Sequence, residues 1–396
     1  MKNIKDFDFL CKKAIIRVDF NVPLNENFEI TDDSRIRAAI PTIKQVIDNG
    51  GAAILMSHLG RPKGGYEHKY SLEHLKNHIS ELLGTDVKFA TDCIGEPAIE
   101  KTKKLKNGEV LLLENLRFHA EEEKGDENFA KKLSELADVY INDAFGTAHR
   151  AHASTTIIAK FFPENKMFGY IMENEVSSLD KVIKDVQRPY TAIIGGSKVS
   201  TKITIIENLL TKVDNLIIGG AMAFTFIKAQ GGKVGKSLIE DDFIENISKL
   251  YDLAEKNNAK IFLPIDSVNG DKFDKDAHVT LSDIDKIPDD RLGLDIGPKS
   301  IKLFEEVVSS SKTILWNGPA GVFEFDKFEA GTKAIANAIA HATNNGSFSL
   351  VGGGDSIAAL TKFNMVDKVS YVSTGGGAML EYMEGKILPG VKAIID

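Results

Sequence analysis

The chain has 396 residues, is 43% hydrophobic, and carries a net charge of −8 with a pI near 5.7. That length exceeds what one hydrophobic core organises, so two domains of similar size are expected. The acidic balance excludes a global basic field for nucleic acid or anionic lipid. Only Cys11 and Cys93 are present, without CxxC or zinc-ligand spacing, so neither a disulfide framework nor a structural zinc site is indicated. MKNIKDFDFL lacks an apolar signal core, and no run approaches the roughly 18–20 residues needed to span a bilayer. A cytoplasmic protein with no nucleic-acid or membrane partner is expected.

In chain order, short apolar runs alternate with segments of helical period. Strands are predicted over Ala14–Phe20, Ala52–His58, Val87–Ala90, Glu109–Asn115 and Val139–Ala144, with helices over Ser34–Asp48, Leu72–Leu83 and Glu127–Leu136. Met172–Val186 reads as a long connecting helix between the halves. The second half repeats the rhythm with strands at Tyr190–Gly195, Leu216–Gly219, Lys260–Asp266, Thr313–Trp316, Ser347–Val351 and Val369–Ser373, and an antiparallel excursion at His278–Ile284. Apolar strands alternating with helices predict an α/β fold, two doubly wound and mostly parallel sheets. The expected division is 1–171, a connector at 172–187, and 188–387. Leu388-Pro389-Gly390 should break the last helix, leaving an apolar tail, Val391–Ile395, that needs a docking surface.

Parallel sheets bind ligands beyond the carboxyl ends of their strands, so the residues there carry most weight. In the first half these include Asp19-Phe20-Asn21, His58-Leu59-Gly60-Arg61, Arg117, and the stretch through Arg150, with Arg35 in the first turn of the helix after strand one. Any one arginine is readily a surface ion pair. An arginine after each of three successive strands, plus Arg35, predicts a small-anion site, because guanidinium forks match carboxylate and phosphate oxygens. His58 is expected to bind the same anion. For His149 and His152 structural and functional roles stand level, and their spacing does not suit zinc.

The second half binds anions by other means. Gly195-Gly196 followed by Lys198 and Lys202 predicts a glycine turn with two lysines on one helix face, a phosphate cradle. Gly352-Gly353-Gly354-Asp355-Ser356 lets backbone approach a polyphosphate, with Asp355 as a hard ligand for Mg²⁺. Glu324 is placed to accept from ribose hydroxyls, and Gly293 belongs to an apolar wall for a base. Gly231-Gly232-Lys233-Val234-Gly235-Lys236-Ser237 falls one residue short of a Walker A loop and reads as an ordinary loop. GxGxxG is absent, which argues against a nicotinamide dehydrogenase. A non-catalytic two-domain binding protein would not need a Mg²⁺ carboxylate beside a phosphate cradle. The residues therefore suggest phosphoryl transfer between a nucleotide on the second domain and a small anion on the first.

RVDFNVP (17–23), SHLGRPKG (57–64), LLLENLRFH (111–119), NDAFGTAHRAHAS (142–154), GGSKVSTKI (195–203), LWNGPAGVFE (315–324) and GGGDS (352–356) resemble, in order and nearly end to end, the phosphoglycerate kinase family. The resemblance implies reversible phosphoryl transfer between 1,3-bisphosphoglycerate and ADP, giving 3-phosphoglycerate and ATP, with Mg²⁺, in a monomer that closes around a hinge. It implies that Asp19, Asn21, Arg35, His58, Arg61, Arg117 and Arg150 hold the phosphoglycerate, Arg35 nearest the transferring group. It assigns Lys198 to the moving phosphoryl, Lys202 to the nucleotide phosphates, Asp355 to Mg²⁺, Glu324 to ribose, Gly293 to the base, and the tail to the first domain. Ser356 stands where many members carry threonine, and Met379, Tyr382 and Met383 replace a commoner serine and leucines.

Overall fold

A computed structural model describes residues 2–396. The chain divides into two compact units, one of residues up to Val176 with Ile387–Asp396, the other Ser177–Lys386. The first unit is built on strands β1 (Lys13–Val18), β2 (Ala52–Met56), β3 (Val87–Ala90), β4 (Val110–Leu113), β5 (Val139–Asp143) and β6 (Lys166–Phe168). They form one parallel sheet in the order β3-β4-β2-β1-β5-β6. Strands such as β2 and β4 are buried at every residue, so helices must cover both faces. Ile16, Val18, Ile43, Leu55, Leu112 and Ile141 lie at the centre of its core.

The second unit holds β7 (Tyr190–Ile194), β8 (Asn215–Ile218), β9 (Lys233–Val234), β10 (Lys260–Phe262), β11 (Asp266–Gly270), β12 (Thr280–Asp283), β13 (Lys286–Ile287), β14 (Leu292–Ile296), β15 (Thr313–Asn317), β16 (Phe348–Gly352) and β17 (Tyr371–Ser373). Its main sheet is parallel in the order β10-β8-β7-β15-β16-β17, beside an antiparallel sheet β12-β11-β14 and a small β13-β9 pair. Fully buried Trp316 donates its indole N–H to the Gly318 carbonyl at 2.8 Å, which fixes the turn after β15.

Both main sheets reverse strand order next to their first strand, at β1/β5 and at β7/β15, and a crevice opens at the carboxyl ends there. The expected α/β architecture of two doubly wound sheets is what the chain adopts. Several local expectations need correction. Lys260–Asp266 is not one strand: Pro264 lacks an N–H, so β10 stops at Phe262 and β11 starts in a different sheet. The predicted Glu109–Asn115 strand ends early because the Asn115 side chain accepts from Arg117 N at 3.0 Å and caps a 3₁₀ turn over Leu116–Phe118. The connecting helix runs over Tyr170–Ile183 rather than Met172–Val186. It starts earlier because Thr42 Oγ1 accepts from Tyr170 N at 3.0 Å and Asp143 Oδ1 from Ile171 N at 2.8 Å. Pro389 does not end a helix but opens one, Pro389–Ile395, at the position where proline is tolerated. That helix is tied within the first unit by Gly390 N to the Ala148 carbonyl and Lys166 Nζ to the Ala393 carbonyl, each 2.8 Å.

Candidate active site

In the first unit the crevice is organised around a buried arginine to which the sequence reading gave no role of its own. Arg17, wholly buried at the inner end of β1, donates from Nε to Ser154 Oγ at 2.9 Å and from Nη1 to the Val18 carbonyl at 2.5 Å, and lies 3.2 Å through Nη2 from His58 Nδ1. Ser154 in turn donates to buried Glu122 at 2.5 Å, and its N–H donates to the same carboxylate at 3.0 Å. The signal available was a guanidinium inside the apolar run 14–18. Glu122 gave none, since Glu121-Glu122-Glu123 reads as a solvated run.

Burial, reinforced by the Arg17, Arg117 and Arg35 charges, holds His58 well below the usual imidazole range. A neutral His58 that accepts from Arg17 at Nδ1 carries its proton on Nε2, leaving a donor for a bound anion. His152 is pushed down to about 4 by burial and by Arg17, Arg117 and Arg150, so two neutral imidazoles lie among fixed cations. Glu122 is shifted upward by its burial.

Several of the expected ligand residues lie near this network. Arg35 Nη1 binds Asp19 and the Asn21 carbonyl, both at 3.1 Å. Asn21 Oδ1 accepts from Gly60 N at 2.8 Å, and buried Phe20 donates its N–H to Ser57 Oγ at 2.9 Å. The loop after β2 is gripped from β4: Asn115 donates to the Leu59 carbonyl at 2.8 Å and Arg117 Nη1 to the Gly60 carbonyl at 2.9 Å. Arg117 is nearly buried and paired with Glu123 at 3.2 Å, whereas Arg61 and Arg150 are exposed. Arg150 Nε donates to His149 Nε2 at 3.2 Å.

In the second unit Lys202 spans the β7/β15 switch point. Its ammonium donates to the Gly195 carbonyl at 2.6 Å, the Asn317 carbonyl at 3.0 Å and Asn317 Oδ1 at 2.7 Å. Burial lowers it to about 8, with Asp355 opposing the shift. Lys198 and Lys202 do not share a helix face. The helix starts at Ile203, Lys202 caps it, and Lys198 sits exposed in the preceding turn. Gly196, at φ +127°, swings the chain into that turn, which is why the i, i+4 argument fails here.

Gly353 (φ +90°) precedes the helix Gly354–Lys362, whose exposed first turn carries Asp355. Buried Ser356 accepts from Gly318 N at 2.6 Å, tying that helix to the turn after β15. Asp355, Glu324 and Gly293 line a 390 Å³ cavity with Phe224, Leu292 and Leu294. Gly293 is obligatory: a Cβ there would lie 2.2 Å from the Phe224 ring. The Gly231–Ser237 segment is not an idle loop, because Ser237 Oγ accepts from Gly293 N at 2.9 Å and Leu238 lines the cavity. A larger depression of 970 Å³ runs along edge strand β10 and contains neither the Gly195 nor the Gly353 turn, so it lies away from the switch point. Tyr382, at a departure from the family pattern, donates to Asp180 at 2.5 Å, while Met379 and Met383 are buried.

An arginine-lined crevice on one unit and a glycine-turn cavity on the other define a two-unit α/β phosphotransferase. The chain belongs to the phosphoglycerate kinase family, whose sequence profile matches residues 4–386. It is 55% identical to a phosphoglycerate kinase of Porphyromonas gingivalis, with 99% of each chain covered. It is 53% identical to the cytosolic phosphoglycerate kinase 3 of Arabidopsis thaliana, over 99% of this chain and 97% of that one. The solved phosphoglycerate kinase of Coxiella burnetii superposes with a TM-score of 0.92 at 40% identity, covering 98% and 97% of the two chains. The chain is accordingly a kinase that transfers a phosphoryl group to a carboxylate acceptor.

Proposed function

We propose that phosphoglycerate binds the arginine crevice of the first unit and the nucleotide binds the cavity of the second, each residue acting as follows. The observation that carries this reading is the contrast at the two switch points: fixed guanidiniums in one, backbone donors and a single buried ammonium beside an apolar cavity in the other. Arg61, Arg117, Arg150, Asn21 and the Nε2 of His58 hold the carboxylate and 3-phosphate of the substrate. The base enters against Gly293 and Phe224, and Glu324 accepts from the ribose. Lys202, with the Gly353–Ser356 turn, receives the nucleotide phosphates.

In the direction of ATP synthesis a β-phosphate oxygen of ADP attacks the acyl phosphate of 1,3-bisphosphoglycerate. The bond from phosphorus to the carboxyl oxygen breaks and 3-phosphoglycerate leaves as a carboxylate. Arg35 and exposed Lys198 meet the charge that spreads over the moving phosphoryl. Asp355 suits Mg²⁺: it is an exposed carboxylate in the first turn of a helix, lining the nucleotide cavity, and Mg²⁺ takes one or two such oxygens together with substrate phosphates. When bound, that ion neutralises phosphate charge.

In-line transfer requires the reacting atoms about 3–3.5 Å apart, so both ligands together should draw the units closed about the Tyr170–Ile183 helix. A cytoplasmic location is supported by free Cys11 and Cys93 and by cytosolic relatives, and a monomer is what the family resemblance implies. Calorimetry on Asp355→Ala tests the assignment. Mg-nucleotide binding should be lost with 3-phosphoglycerate binding intact, and equal loss of both would refute it. Small-angle scattering should show a smaller radius of gyration with both ligands than with either alone.

A further inference from the structure

Outside both crevices, Asp92, Cys93 and His119 bring a carboxylate oxygen, a thiol sulfur and an imidazole nitrogen within 4.8 Å of one another. Cys93 is buried in the segment after β3, whereas Asp92 and His119 are half-buried and open to solvent. Asp92 Oδ1 accepts from Cys93 N at 2.7 Å and lies 2.7 Å from His119 Nε2. Sequence spacing concealed the group because His119 follows a different strand, β4.

We propose that Asp92, Cys93 and His119 form a zinc site with three protein ligands and one open position. Zinc binds thiolate, imidazole and carboxylate at about 2.0–2.3 Å, and a tetrahedral set of such bonds separates the ligand atoms by roughly 3.4 Å. The Asp92 and His119 atoms lie 2.7 Å apart and all three ligand atoms lie within 4.8 Å of one another, so that spacing is within reach. Small adjustments of the two solvent-facing side chains complete the geometry while the buried cysteine stays in place. The donor set also selects the ion, because hard Mg²⁺ and Ca²⁺ prefer all-oxygen cages and thiolate with imidazole favours zinc.

Loading exchanges protons for the metal: a sulfur–zinc bond forms as the sulfur–hydrogen bond breaks, His119 Nε2 gives up the proton it donates to Asp92 as its bond to zinc forms, and the released protons leave to solvent. Because both protons must leave for the metal to bind, zinc affinity rises with pH. A bound ion would tie the end of β3 to the turn carrying Arg117, two residues before His119.

The test uses Co²⁺ as a spectroscopic stand-in, added to the full-length protein under a thiol-free reductant. One equivalent should produce tetrahedral d–d bands and a sulfur-to-cobalt charge-transfer band, both bleached by one equivalent of Zn²⁺. Cys93→Ser should abolish the charge-transfer band and Cys11→Ser should leave it. A wild-type protein without that band, or a band that follows Cys11 instead, overturns the site. Should Cys93→Ser fail to fold, Asp92→Asn and His119→Gln alter only half-exposed side chains. Each should weaken Co²⁺ binding at least tenfold, and unchanged affinity in both overturns the proposal.

Discussion

At the switch point of the first sheet, the groups proposed to meet a ligand are guanidiniums, beside a buried network of Arg17, Ser154, Glu122 and a neutral His58. At the second they are backbone groups around Gly195 and Gly353, together with one buried ammonium, Lys202. Guanidiniums stay protonated at any physiological pH, so the first crevice has charge that does not vary. The ammonium titrates once desolvated, so the second has charge that does. The two units support these groups by different partners. In the first, Arg35 is held by the Asp19 carboxylate and the Asn21 carbonyl and Arg117 by the Gly60 carbonyl and Glu123; in the second, the Gly195 and Asn317 carbonyls and Asn317 Oδ1, all at the β7/β15 strand ends, hold Lys202. A fold of the same class, used twice, thus yields one crevice of fixed charge and one whose charge depends on pH.

The largest effect expected from this contrast is on stability, in the support of the first crevice. Arg17→Met keeps the volume but removes the cation over Ser154 and Glu122. Stranding a buried charge in this way typically destabilises by about 3–5 kcal/mol. Glu122 already has its carboxyl pushed up by burial, so it escapes the penalty by taking a proton when pH falls. Urea denaturation should therefore show a large loss at pH 7.5 that shrinks toward pH 5, and Arg17→Met combined with Glu122→Gln should recover part of it. A loss independent of pH would show that Arg17 acts through packing alone.

A smaller but kinetically sharper contrast separates Arg35 from Lys202. Arg35 is proposed to meet charge that develops only during transfer, so Arg35→Ala should lower kcat by roughly 10²-fold or more. Lys202 is assigned to phosphates present in ground and transition states alike, so Lys202→Ala should mainly raise KM for the nucleotide. Steady-state kinetics with both variants decides the matter, and the same signature in each would erase the distinction.

The parts of this arrangement that could be read from the sequence are those where parallel topology concentrates information. Arginines after β2, β4 and β5 and glycines after β7 and β16 stood out because strand ends are where such sheets place ligands. The family strings then attached roles to them. Arg17 was harder, because a strand buried on both faces shows no alternation to reveal which way one polar residue points. Glu122 was harder still, since an acidic triplet looks solvated until its fold buries the middle residue. Lys198 and Lys202 misled through spacing that fits a helix equally well as a turn followed by a cap. β6, only Lys166–Phe168, is too short for any periodicity to register.

The last contrast is in pH dependence. Lys202 is brought down to about 8 by burial, so the free protein loses this charge as pH rises through that value. Bound phosphates favour the protonated form, and nucleotide affinity should follow the protonated fraction. That fraction falls roughly tenfold between pH 7 and pH 9, and KM for ATP should rise by up to that factor. Over the same interval the arginines keep their protons. His58 and His152 are already neutral, and a phosphate monoester has completed its second ionisation, near pH 6. KM for 3-phosphoglycerate should then stay flat. Measuring both constants across this range tests the comparison directly: parallel drift in the two would mean that a group shared by both steps, rather than Lys202, sets the pH response.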